Sequence, residues 1–111
     1  MIDVNSVTYF FISPKPVDMR KGKDKLGAVI REQLGKDPRN GSQAFIFYSK
    51  DYKTVKIFHY DYCGIEMYIK WFENGRMLKP QFRTIARTHT VTRSQLTLLL
   101  AGAVQATLLI E

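Results

Sequence analysis

The chain has 111 residues, with seventeen Lys and Arg against ten Asp and Glu, a formal charge of +7 and a pI near 9.7. That length predicts a single domain over residues 1–111, with one modest core that needs no metal or disulfide. The low-charge stretch at residues 94–110 is too short and too polar to span a bilayer, no secretory pattern opens the chain, and the lone Cys63 excludes an internal disulfide; together these point to a cytoplasmic protein without a membrane partner.

Residues 7–12, Val-Thr-Tyr-Phe-Phe-Ile, are β-branched and aromatic and predict a strand. Ser13-Pro14-Lys15-Pro16 ends it, because proline removes a ladder donor. Leu26, Val29, Ile30 and Leu34 then share one helical stripe. Asp18 or Asp24 is placed to cap that helix, and Gly35, with Pro38 beyond, to stop it. Residues 44–49 predict a short strand and Ser49-Lys50-Asp51-Tyr52 a turn. Residues 54–60 and 65–72 alternate as strands about a turn at Asp61-Tyr62-Cys63-Gly64. Glu73-Asn74-Gly75-Arg76 closes the second with an Asn-Gly turn signal. Residues 76–90 are basic and hydroxyl-rich without a period, a long loop or one irregular strand. Thr92 and Gln95 match a capping box for a second helix. Its buried stripe is Leu96, Leu99, Leu100 and Ala103, and it ends near Gly102. Residues 107–110 form a last strand or continue that helix. The order predicts an α+β fold, a small antiparallel sheet of about four to five strands packed with two helices.

Little in the sequence suggests bond-breaking. The carboxylates show no metal spacing, Gly22 and Gly27 make no phosphate-cradling pattern, and Cys63 lies in a turn without a partner. Solvated or sheet positions suit His59 and His89. No catalytic residue, metal or cofactor is assigned, and the expectation is a non-enzyme.

Charge is the informative feature. All seventeen basic residues lie within residues 15–93 beside eight acids, a local balance of +9 that suits a polyanionic partner. Arg20, Lys21, Lys23 and Lys25 are the densest cluster, either phosphate contacts, which are salt-sensitive and blind to sequence, or a solvated helix face. Arg76, Lys79, Arg83 and Arg87 form a sparser series, an arm along a groove or an ordinary loop. In the two alternating strands Val55, Ile57, Ile65, Met67, Ile69 and Trp71 occupy odd positions. Lys56, Phe58, Tyr60, Glu66, Tyr68, Lys70 and Phe72 occupy even ones and are expected on the opposite face. Exposed, that mixed face would stack bases beside phosphates. Covered by the C-terminal helix, its rings would be a second core layer with the lysine stems reaching outward, which suits a two-helix domain this small.

Several blocks resemble a known family. Val7-Thr8-Tyr9-Phe10 followed by Asp18-Met19-Arg20-Lys21-Gly22 is similar to the opening of the accessory protein from the second reading frame of IS66-type bacterial insertion sequences, often called TnpB and distinct from the RNA-guided nuclease of that name. The similarity runs through Leu34-Gly35-Lys36-Asp37-Pro38, Phe45-Ile46-Phe47, Val55-Lys56-Ile57, Gly64-Ile65, Tyr68-Ile69-Lys70, Glu73-Asn74-Gly75-Arg76 with Pro80, and Val91-Thr92 to Gly102. Lys79 stands where the family usually has an aromatic residue, residues 81–90 look longer than is typical, and Gly102-Ala103-Val104 replaces a Gly-Ile-Asp ending. The resemblance implies a transposition accessory protein working beside a separate transposase. It singles out Asp18, Met19, Gly22 and Gly75 as motif positions. The combined expectation is DNA binding through Arg20, Lys21, Lys23, Lys25, Lys56, Lys70 and Arg76. The alternative is an adaptor that docks the transposase without touching DNA; a small nuclease comes third.

Overall fold

The computed structural model describes residues 6–102 and 107–111. Its elements in chain order are β1 (Tyr9–Ile12), α1 (Lys23–Glu32), β2 (Gln43–Tyr48), β3 (Thr54–Asp61), β4 (Gly64–Trp71), β5 (Lys79–Phe82), β6 (His89–Val91), α2 (Arg93–Leu99) and β7 (Thr107–Ile110). Five strands form one sheet in the order β4-β3-β2-β1-β6, and β5 pairs with β7. The α+β class is as expected, but the sheet is mixed rather than antiparallel. β1 and β2 run parallel, with Phe11 opposite Phe45. α1 lies in the connection between them, and parallel neighbours need such a crossover of a dozen or more residues. β5 and β7 are also parallel.

Apolar side chains cover both faces of the large sheet. Phe11, Phe45, Phe47 and Phe58 face Leu26, Val29 and Ile30 of α1 and Leu34 just beyond it. Phe10, Ile12, Ala44, Ile46, Tyr48, Val55 and Ile57 face the other way, onto Leu96 and Leu99 of α2 with Met77 and Ile110. β2 therefore reads as an unbroken apolar run, because a strand buried on both sides has no polar face. The Tyr48 hydroxyl donates to the Ser13 carbonyl at 2.8 Å and pins the chain where β1 ends.

Neither candidate carboxylate caps α1. Gly22 is its N-cap, without a side-chain bond, and Asp24 sits in the first turn. The C-terminal end follows expectation. Gly35 adopts φ +69°, and the Lys36 amide returns to the Ile30 carbonyl at 3.0 Å. The Arg87 guanidinium donates to the carbonyls of Glu32 (2.9 Å) and Gln33 (3.0 Å), placing a cation on the negative end of the helix dipole. α2 opens on the expected capping box. The Gln95 amide donates to Thr92 Oγ1 at 3.1 Å, and the Thr92 amide to Gln95 Oε1 at 2.8 Å. Leu96 and Leu99 are buried, and Gly102 takes φ +81° beyond the helix end; Ala103 lies outside the described residues. Residues 76–90 contain β5 and the start of β6 rather than a single loop or strand, and residues 107–110 are a strand.

A side chain at Gly35 is opposed twice, by the left-handed backbone and by Arg87, whose Nη1 would lie 2.6 Å from a new Cβ. Gly35→Ala should therefore lose about 1–3 kcal/mol of stability, read from the urea midpoint. An unchanged midpoint would contradict this account of the helix end.

Candidate nucleic-acid interface

The basic cluster begins in the turn before α1, and that turn is fastened from below. Lys56 projects from β3 on the α1 side of the sheet. Its ammonium donates to the carbonyls of Met19 at 2.7 Å and Lys21 at 2.9 Å. The Val17 amide donates to the Tyr48 carbonyl at 3.0 Å, tying the start of the turn to β2. Within the turn Asp18 Oδ1 accepts the Arg20 amide at 2.9 Å, and the Arg20 guanidinium returns to the same carboxylate through Nε at 3.1 Å and Nη2 at 2.7 Å. These side-chain bonds first, and the amide bond second, hold the Asp18 carboxyl well below the usual carboxylate range. The Arg20 side chain is 91% exposed, so the clasp orients a guanidinium in water rather than burying it.

The other cluster members differ in setting. Lys23 pairs with Asp24 at 3.1 Å, both exposed. Lys25 is exposed and Lys21 half-buried. Alongside, Lys50 and Asp51 of the β2–β3 turn share an open groove with Val17, Asp18 and Met19. Sequence reasoning missed Lys50 because only the fold brings that turn beside residues 17–19.

Lys56 and Lys70 do not share a face, contrary to expectation. Asp61 pairs with Gly64 across the Tyr62-Cys63 turn, so Val55 lies opposite Lys70 and Lys56 opposite Ile69. Odd positions of β3 therefore lie beside even positions of β4. Lys56, Phe58 and Tyr60 join Ile65, Met67, Ile69 and Trp71 on the α1 side, whereas Glu66, Tyr68 and Lys70 lie on the α2 side. Phe58 is buried under α1, and Tyr68 and Phe72 pack with the α2-side core. Phe58, Tyr68 and Phe72 are thus core material on two different faces, and Tyr60 is half-buried, so the rings do not form one stacking platform. Lys70 Nζ donates to the Leu100 carbonyl at 2.7 Å and lies 4.7 Å from the centre of the Phe72 ring.

The second basic series is dispersed. Arg76 is exposed in the turn after β4, where Gly75 supplies φ +74°. Arg83 lies 3.7 Å from Glu111, and Arg87 caps α1. Both histidines are buried: His59 Nε2 lies 2.8 Å from the Gly41 carbonyl, and His89 stacks on Phe82 at 4.4 Å. Among the described residues no three His, Cys, Asp or Glu side chains are grouped to hold a metal, and no helix is long and apolar enough to cross a membrane.

Three comparisons complete the picture. The family model described as IS66 Orf2-like protein matches residues 8–108. A Sinorhizobium fredii protein titled "Uncharacterized protein y4jC" is 30% identical over 69 residues, which are 62% of this chain and 58% of that protein. The match thus spans little more than half the length of that relative. No solved structure matches the chain.

Removing the Lys56 ammonium tests the fastening. Lys56→Met keeps the stem but loses two charge-assisted bonds, at a cost of about 1–3 kcal/mol. Amide exchange at Val17 and Lys21 should quicken while Phe45 and Ile46 stay protected; equal change at all four would contradict a local tie. The Asp18–Arg20 clasp should survive mild acid. A depressed carboxyl pKa gives stabilisation that is present above the ordinary carboxylate range and lost only as pH falls through the group's own low value. The Asp18 carboxyl shift, followed by NMR, should therefore titrate well below pH 4, and in Arg20→Ala it should return toward the ordinary range.

Proposed function

The chain belongs to the IS66 Orf2-like family of insertion-sequence accessory proteins, and on that premise we propose that it assists transposition by holding DNA through the basic turn and first coil of α1. The supporting observation is the fastened turn itself. Arg20, Lys21, Lys23 and Lys25 follow one another on backbone tied to β2 and β3, within a segment whose seventeen cations face eight acids. An ammonium binds phosphate as a mobile point charge, whereas a clasped guanidinium offers a fixed edge for bidentate contact. Holding the turn beforehand removes ordering that binding would otherwise cost. Gly22 adds no capping side chain, so the first amides of α1 are open to a phosphate oxygen.

In this reading Lys56 is a positioning residue that sets the height of the turn. Lys70 lies on the other face, and Arg76 follows β4 next to Met77, whose amide donates to the Tyr52 carbonyl; neither is part of the main contact. The contacts fix DNA without reading its sequence. Cutting and joining belong to a separate transposase, and this chain is non-catalytic.

A fluorescence-anisotropy titration with duplex carrying the element's end, repeated across salt concentrations, tests the reading. Four phosphate contacts predict a log–log slope of about −3 to −4. The combined variant Lys21→Gln, Lys23→Gln, Lys25→Gln should flatten that slope by about 3. Salt-independent affinity, or no binding, would overturn the proposal and favour docking on the transposase instead.

A further inference from the structure

Among the described residues β4 ends the five-stranded sheet and pairs with β3 on one side only. Its eight residues match β3 without a bulge, from Asp61 opposite Gly64 to Thr54 opposite Trp71. Its α1-side face carries Ile65, Met67, Ile69 and Trp71, with Ile65 38% and Trp71 69% exposed. Proteins usually blunt a long, flat, apolar edge with proline, a bulge or charge; this strand has neither proline nor bulge, and its charges, Glu66 and Lys70, lie on the α2 side.

The phase of the ladder shows which peptide groups face outward. The Phe72 amide donates to the Lys53 carbonyl at 2.8 Å. Antiparallel partners exchange hydrogen bonds at every second residue. Glu66, Tyr68 and Lys70 therefore turn their peptide groups toward β3, while Ile65, Met67, Ile69 and Trp71 turn theirs away from the sheet.

We propose that β4 pairs antiparallel with β4 of a second copy of this chain, about a two-fold axis at Tyr68. In that register Met67 meets the partner's Ile69 and Ile65 meets the partner's Trp71. Outward peptide groups thus meet outward peptide groups, and every pair on this face is apolar. On the other face Glu66 meets the partner's Lys70, and Lys70 meets the partner's Glu66. These are non-hydrogen-bonded positions, where opposed side chains approach most closely. Lys70 keeps its bond to the Leu100 carbonyl, since an ammonium has three donors. A slip of two residues one way sets Glu66 against Tyr68, and the other way sets Lys70 against Tyr68; either loses both ion pairs. The strand is thus self-complementary in charge, in apolar contact and in hydrogen-bond phase, as an isologous interface requires. A two-fold axis normal to the sheet leaves both copies of α1 on one side of a continuous sheet, so the two basic turns face the same way.

Sedimentation equilibrium on the full chain tests the pairing. The expected mass at micromolar concentration is twice the 12.9 kDa of one chain. Glu66→Lys and Lys70→Glu each oppose like charges in a homodimer and should weaken association by about tenfold or more. An equimolar mixture of the two variants pairs opposite charges at both positions and should recover the dimer. That recovery also shows that each variant folds. Trp71→Lys, at a largely exposed position, should weaken the wild-type dimer independently. A monomeric wild type, single variants as dimeric as wild type, or a mixture no tighter than either component would overturn the pairing. A monomer that binds DNA sinks this inference alone, and a dimer that ignores DNA sinks the DNA reading alone.

Discussion

Neighbouring residues of β2 set the architecture. Phe45 and Ile46 are both fully buried yet point to opposite faces of the sheet. A sheet that is apolar on both sides exposes too much oily surface unless each side is covered. α1 covers one side. α2, with Met77 and Ile110, covers the other. Because α1 lies in the β1–β2 crossover, its N-terminal turn comes to rest beside β2 and β3, where Tyr48 and Lys56 hold it. The position of the basic turn is thus a consequence of two-sided burial.

Long cations act as ties in this fold. Lys56 reaches Met19 and Lys21, Lys70 reaches Leu100, Arg87 reaches Glu32 and Gln33, and Arg93 reaches Val7. Each ends on backbone carbonyls of a turn, a loop or a helix end. A charged donor on a carbonyl contributes about 1.5–3 kcal/mol, more than an exposed ion pair, whose typical worth is below about 1 kcal/mol. By that comparison the exposed Asp18–Arg20 clasp shapes the turn rather than stabilising the fold, and Lys56 is the stronger constraint. Positive charge in this chain has two uses. Some cations close loops, and residues 20–25, the densest cluster of the rest, are the ones the proposal assigns to a polyanion.

Much of the fold was legible because its signals are local. The Thr92–Gln95 box, the Gly35 stop and the Asn74-Gly75 turn each depend on residues a few positions apart, and each stands where the sequence put it. The parallel β1–β2 pair was not legible from alternation, since the apolar run of β2 fits any strand buried on both sides. β5 was hidden because Lys79-Pro80-Gln81-Phe82 has no period and its partner, β7, comes much later in the chain. The misplaced lysine face has a different cause. The turn at Asp61-Tyr62-Cys63-Gly64 was correctly placed, and its two-residue length already fixes which positions of β3 and β4 share a side. The reach of Lys56 to Met19 and of Arg87 to Gln33 had no local signal, because a flexible side chain finds a distant carbonyl only once the chain has folded.

DNA binding as proposed rests on a fastened turn more than on a bare count of charges. A net charge of +7 attracts polyanions from any direction, whereas a held cluster gives them one place to settle. A pairing of β4 edges would set two such clusters on one side of a shared sheet, a geometry suited to a long anionic partner. The most direct test is amide mapping by NMR as duplex DNA is added to the labelled chain. The account predicts that shifts concentrate at residues 18–25, with Lys50 beside them, while α2 and β7 stay in place. Shifts confined to α2 and β7, or none at all, would contradict it.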